Sequence, residues 1–192
     1  MLLADRVKAA LDHGILRSAL APAVNALAKA HSRGVQRIFY DQGVWMHETR
    51  SGVFAYPHPY VRLDLRHLDE AARTNFFWGY VPRMGDVVMD VGAGVGEETL
   101  TFSRAVGSCG KVICIEAHPR TYLCLEKLIQ YNNLRNTVAL HQAVTAPSCT
   151  TAIIEDSPAY LENRINAVQG LSVPANTIDN IHKHSAWDAS IF

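Results

Sequence analysis

The stretch Asp86–Thr99, D-V-V-M-D-V-G-A-G-V-G-E-E-T, constrains this chain more than any other. A short apolar run, Val87, Val88 and Met89, ends in Asp90. Glycines then alternate at Gly92, Gly94 and Gly96, and Glu97–Val106 reads as a helix. Strand, glycine turn and helix in that order make a site for a nucleotide-type cofactor. Glycine lets the backbone turn tightly and approach a ligand with no Cβ in between. The dinucleotide spacing G-x-G-x-x-G, counted from Gly92, requires a glycine at position 97. Glu97 stands there, and the third glycine comes one residue early at Gly96. A glutamate is poorly suited to a helix start that must hold a pyrophosphate.

The 192 residues suffice for a sizeable core, and 48% hydrophobic with 19% charged content describes a globular protein. A formal net charge of +0 gives no electrostatic case for nucleic acid or an anionic membrane, so neither is expected as a partner. The apolar stretches fall far short of a membrane span. Residues 1–30 are Ala/Leu-rich, but Asp5, Asp12, Arg17 and Pro22 interrupt them, which fits amphipathic helix better than a signal peptide. Cys109, Cys114, Cys124 and Cys149 form no C-x-x-C pair. Cys114 in an apolar strand and Cys124 on a helix read as core thiols, and the default expectation is a reducing, cytoplasmic setting. Of nine histidines, His182 and His184 lie close in sequence without an acidic or cysteine partner, so no metal site is expected.

Residues 2–16 place Leu3, Val7, Ala10, Leu11 and Ile15 on one helical face. Pro22 is expected to start a second helix with Val24 and Leu27 inward and Gly34 ending it. The runs Val35–Tyr40, Val44–Thr49 and Val53–Tyr56, separated by Asp41-Gln42-Gly43 and Arg50-Ser51-Gly52, read as a small meander. Asp69 is placed to cap a helix through about Tyr80, with Phe76, Phe77 and Tyr80 available to pack. From Val87 the pattern alternates: strand Val87–Val91, helix Glu97–Val106, strand Val112–Glu116, helix from Pro119 to about Asn132, strand Val138–Val144. That alternation argues for a parallel sheet covered on both faces. Beyond Thr145, Thr151–Glu155 and Leu171–Val173 suggest a β-hairpin, and Thr177–His182 suggests a short helix.

Val112–Glu116 ends in an acid twenty positions after Gly96. A carboxylate at the end of the second strand sits beside the glycine turn, where it can accept the hydrogens of both hydroxyls of a ribose. With this landmark in place, D-x-G-x-G-x-G resembles motif I of class I S-adenosylmethionine (SAM) methyltransferases. SAM carries no phosphate, so a carboxylate near its ammonium and sulfonium groups is favourable. Residues from about Tyr60 to Thr145 resemble the FkbM family of these enzymes. The matching pieces are G-D-V-V-M-D-V-G-A-G-V-G, G-K-V-I-C-I-E-A-H-P, L-C-L-E-K-L-I-Q-Y-N and Ala143, with the later V-P-A-N-T-I-D-N-I. Gly94 stands where that family more often has asparagine, and Ala117 where it more often has proline.

The resemblance implies a Rossmann-like class I methyltransferase sheet over residues 60–192, preceded by helices and a β-meander over residues 1–59. It implies SAM as cofactor and methyl transfer to a hydroxyl of a small molecule or sugar. Carried over residue by residue, Asp90, Gly92, Ala93, Gly94 and Gly96 would line the methionine end of SAM, and Glu98 and Thr99 would contact its amino-acid part. Glu116 would hold the ribose with Ala117 beside it, and Gln142 and Ala143 would lie near the adenine. An oxygen acceptor also needs a base. No residue stands out for it; His118 and His141 are the nearest in sequence.

In the resembled family T-I-D-N-I precedes a fourth strand with K-x-D-x-E-G, and Ala189–Phe192 reads as the start of that strand. The expectation is therefore an incomplete sheet, with strands one to three plus the hairpin, weak or absent turnover, and self-association through the open edge. Two other functions compete: a non-catalytic binding module or inactive fragment that keeps half of a methyltransferase fold, and a nucleotide-linked oxidoreductase. Glu97 argues against the latter.

Overall fold

The computed structural model describes residues 14–156, 164–165 and 168–185. They fall into two compact units, one ending at Leu68 and the other beginning at Asp69. The helical face expected over residues 2–16 lies almost wholly outside the described residues.

In the first unit, helix α1 (Gly14–His31) is followed by strands β1 (Val35–Asp41), β2 (Val44–Thr49) and β3 (Val53–Tyr56). Pro22 does not start a helix but lies inside α1. A proline there removes one backbone bond, and the Ala/Leu-rich turns on both sides continue the helix. Val24 and Ala28 are buried, whereas Leu27, expected inward, is half exposed. The reason is Asn25, whose side-chain amide pairs with both the N–H and the C=O of Ile38 at 2.7 Å. That clamp turns the face of residues 24, 25 and 28 toward β1, and Leu27 falls outside it. The three strands form the expected antiparallel meander in the order β1-β2-β3.

The helix α2 (Leu68–Phe76), all but its first residue in the second unit, stops short of Tyr80. Gly79 and Pro82 oppose a longer helix. Of the three aromatic residues expected to pack, Phe77 is buried, while Phe76 and Tyr80 are at least half exposed. Asp69 sits in the first turn rather than capping it; its carboxylate accepts from Arg73 and from Thr101 Oγ1, both at 2.9 Å.

Strands β4 (Val87–Val91), β5 (Lys111–Glu116) and β6 (Thr137–His141) form a parallel sheet in the order β4-β5-β6, with α3 (Thr99–Val106) and α4 (Pro119–Tyr131) as crossovers. This is the expected Rossmann-like α/β winding. Side chains alternate across β5 as the pleat requires. Val112 and Cys114 join Phe77, Phe102, Val106 and Leu125 on one face, and Ile113 and Ile115 meet Ile181 on the other. Ile181 belongs to α5 (Ile178–Ser185), whose start is held by the Thr177 hydroxyl accepting from Asn180 N at 3.1 Å.

The strand expected over Val138–Val144 is two strands. β5 ends at Glu116, opposite His141, and the last backbone bond between the two strands runs from Gln142 N to Glu116 O at 3.2 Å. After Gln142 the chain pairs with a new strand: β7 (Ala143–Val144) runs parallel to β9 (Leu171–Asn176), which pairs antiparallel with β8 (Thr151–Ile154). On the far side of the parallel sheet no described strand pairs with β4, and Val87 and Val91 at its ends are exposed.

Candidate cofactor site

The turn after β4 is anchored to the end of β5. Gly92 N and Ala93 N both donate to Ile115 O, at 2.8 and 3.1 Å, and Gly96 N donates to Ala93 O at 2.9 Å. Gly94 N donates to Glu116 Oε2 at 2.8 Å. These four N–H groups are engaged inside the protein and are not free to cradle a phosphate. Gly92 and Gly94 hold φ of +80° and +57°, and a Cβ on either would enter open space. Gly96 has a different task. A Cβ there would stand 2.7 Å from Leu125 Cδ1 and 3.1 Å from Thr99 Oγ1, so the third glycine lets α4 close on the turn.

Glu116 is the hub of the site. Its Oε1 accepts from His118 N and from Thr121 Oγ1, both at 2.8 Å, and its Oε2 accepts from Gly94 N. A carboxylate offers about four lone-pair positions, so three inward bonds leave room for about one further donor. Two more acids stand near. Burial, with the charges of Glu98 and Glu116, pushes the Asp90 carboxyl up to about 6. Burial, with the charge of Glu97, also raises that of Glu98. The surroundings of the turn are therefore acidic, which suits a cation and opposes a pyrophosphate.

A pocket of ≈300 Å³ opens where these elements meet. Gly92, Gly94, Glu116, Ala117, Gln142 and Ala143, all expected from sequence, line it together. Asp90 and Glu98, also expected from sequence, are not among the residues that line it. Ala93, Gly96 and Thr99, also expected to meet the cofactor, point into the protein. Ala93 packs in the core with Phe102 and Leu125, and Thr99 is fully buried with its hydroxyl 3.6 Å from Cys114 Sγ. A helix that closes tightly on its turn hides the first residue of its own inner face.

Ile154 and Ile165 complete the wall. They come from the excursion beyond β7 and carry no distinctive sequence signal. His118 also lines the pocket, but as a structural group: it caps α4, its Nδ1 accepting from Arg120 N at 3.2 Å. His141 is held likewise, with Nε2 3.1 Å from Ala117 O and its ring stacked on Tyr122 at 4.6 Å. Among the described residues no three His, Cys, Asp or Glu side chains gather to hold a metal, and no helix is long and apolar enough to cross a membrane.

No family model matches the sequence, and no curated protein does. Among solved structures the chain is similar to a SAM-dependent methyltransferase from Aquifex aeolicus, with 25% identity over 40% of this chain and 44% of that one, at a TM-score of 0.33. It is similar to TYW2 of M. jannaschii in complex with AdoMet, with 21% identity over 55% of this chain and 46% of that one, TM-score 0.40. A third similarity is to Aeropyrum pernix fibrillarin with natively bound S-adenosyl-L-methionine, with 16% identity over 58% of each chain, TM-score 0.35. The chain spans about half the length of these structures.

Proposed function

We propose that residues 85–185 form the SAM-binding part of a class I methyltransferase. One observation carries the reading: Gly92 and Gly94 present bare backbone to a pocket whose adjoining wall is Glu116, a buried and oriented carboxylate. The residues fit SAM better than a dinucleotide. The N–H groups of Gly92, Ala93, Gly94 and Gly96 are engaged within the protein, and Asp90, Glu98 and Glu116 stand near the turn as acids. A pyrophosphate would meet repulsion there; a sulfonium and an ammonium meet attraction. The nucleotide-linked oxidoreductase is correspondingly disfavoured.

SAM, when bound, supplies an electrophilic methyl group, and its transfer depends chiefly on alignment. This chain's residues supply that alignment. Glu116 holds the ribose, Gly94 and Gly92 allow close approach, and Ala117, Gln142 and Ala143 border the base. A grip on both ribose hydroxyls requires one of the three present donors to yield. Gly94 N–H, on the glycine turn at the open side, is the one placed to do so. The order of pieces from Gly85 to Ile181 supports the finer reading, FkbM-type O-methylation of a hydroxyl on a small molecule or sugar. A second reading, SAM binding without transfer, draws on His118, both of whose ring nitrogens are engaged in structural bonds, and on His141, whose Nε2 is engaged with Ala117 O.

Isothermal titration of the full chain with SAM, S-adenosylhomocysteine and NAD tests the cofactor. We expect binding of the first two and none of NAD, with Glu116→Ala weakening both. NAD binding, or no SAM binding by a folded chain, overturns the assignment.

A further inference from the structure

We propose that the excursion beyond β7 supplies the apolar seat for the purine ring, and that a hydrogen bond between His118 and Asp156 fastens it in place. The inference rests on the SAM reading and deepens it.

The strand β8 ends at Ile154, which pairs in antiparallel fashion with Ile165, and Glu155 N donates to Arg164 O at 2.9 Å. Both isoleucines line the pocket beside Ala117 and Ala143. Ile154 is buried, but Ile165 is 59% exposed. An exposed branched aliphatic side chain at the mouth of a pocket gains stability when a flat apolar group covers it. The other walls reserve polar contact for the ribose at Glu116, which leaves the isoleucine side for the base.

The fastening follows from proton bookkeeping on one ring. His118 Nδ1 accepts from Arg120 N, so that nitrogen carries no proton, and in the neutral ring the proton sits on Nε2. Nε2 lies 3.3 Å from Asp156 Oδ1 and donates to it. The His118 side chain is 5% exposed and fixed at the start of α4, two residues after Glu116, while that of Asp156 is 65% exposed. A rigid donor on the ribose wall thus holds the strand that carries Ile154. Asp156 acts as a positioning residue, and Ile154 and Ile165 as binding residues.

The test is titration of the full chain with S-adenosylhomocysteine and with 5′-methylthioadenosine, which keeps the nucleoside and lacks the amino-acid end. Ile165→Ala is expected to weaken both ligands by the same factor, roughly 5- to 10-fold for an aliphatic contact partly covered by ligand. Ile165→Leu restores both. Asp156→Ala is expected to weaken both ligands together, whereas Asp156→Asn, whose side-chain oxygen accepts the same bond, is expected to retain them. A folded Ile165→Ala chain with unchanged affinity for methylthioadenosine, while Glu116→Ala loses it, overturns the purine seat and leaves the SAM reading intact. Equal affinities in Asp156→Ala and Asp156→Asn overturn the fastening. Failure of the unaltered chain to bind either ligand overturns both readings together.

Discussion

Gly94 and Glu116 are joined by a 2.8 Å hydrogen bond from backbone N–H to carboxylate, which ties the turn after one parallel strand to the tip of the next. The same carboxylate receives His118 N and Thr121 Oγ1. One side chain therefore shapes the pocket and offers its remaining lone pair to a ligand. Glu116→Ala removes the acceptor for three donors at once. We expect SAM binding to weaken by about 1–3 kcal/mol, the range for losing a charge-assisted hydrogen bond. Thermal stability should fall as well, because the His118 N–H loses its acceptor and the Thr121 hydroxyl keeps only His118 O, 3.0 Å away. Calorimetry and thermal melts read the two losses separately.

The three glycines of the turn should separate by phenotype. Gly94→Val places a side chain in the pocket, where a Cβ meets open space in the free protein. The chain should fold, with about 1–2 kcal/mol of backbone strain, and should lose SAM binding. Gly96→Ala drives a Cβ against Leu125 and Thr99. It should lower stability by about 1–3 kcal/mol through overpacking, in addition to its backbone strain. Melting and titration of the two variants together check the split. Normal SAM binding by folded Gly94→Val means that this turn does not face the cofactor.

Local pattern made much of this arrangement legible. Val87–Val91, the alternating glycines and Glu116 at a strand end are read within short windows, and so are the meander and its turns. The parts that escaped depend on distant neighbours. Gly92 and Gly96 look alike in sequence, and Leu125 on α4 makes them different. The break at Gln142 follows from where β5 ends, and β9, which takes over the pairing, lies well downstream. Leu27 lost its inward place to the Asn25–Ile38 clamp, which no hydrophobic periodicity encodes. Ile154 and Ile165 are ordinary aliphatic residues until the chain folds them over the pocket.

The cysteines give a chemical check on the core. Cys114 and Cys124 are buried, and burial pushes both thiols up to about 12, while Cys109 and Cys149 are exposed. The thiolate is the reactive form. Iodoacetamide on the native chain should add two groups, at Cys109 and Cys149, and four after denaturation. Peptide mass spectrometry reads both counts. Native labelling of Cys114 would mean that the sheet is open where the structure shows it closed.

His47 in the first unit should make that unit acid-sensitive. Burial lowers its pKa from 6.5 to about 4, against the raising effect of its bonds to Tyr60 O and Trp45 O. In the unfolded chain the ring takes a proton near pH 6.5; in the folded chain it resists until about 4. Stability is therefore full above pH 6.5 and declines as pH falls toward 4, by up to about 3 kcal/mol. His47→Phe should flatten this slope in urea unfolding followed by the fluorescence of Trp45, in a chain whose Trp78 and Trp187 are replaced by Phe.

Asp90 should impose the opposite slope on the second unit. Its folded carboxyl holds a proton up to about pH 6, against an ordinary value of 3.8. Between those values the folded chain keeps a proton that the unfolded chain has released, so folding is favoured on the acid side. That contribution is full below about pH 4 and lost as pH rises through about 6, by up to about 3 kcal/mol. Asp90→Asn should therefore stabilise the unit at pH 8 and change little at pH 4.5. Carboxylate repulsion adds to burial here, since Glu98 and Glu116 both raise the Asp90 pKa. A cationic ligand should relieve that repulsion and draw the proton off Asp90. Calorimetric titration with SAM at pH 6, in two buffers of different ionisation enthalpy, should show proton release by the unaltered chain and less by Asp90→Asn. Equal release by the two would place the linked proton on another group, and unchanged stability of Asp90→Asn at pH 8 would remove the charged cluster as a source of strain.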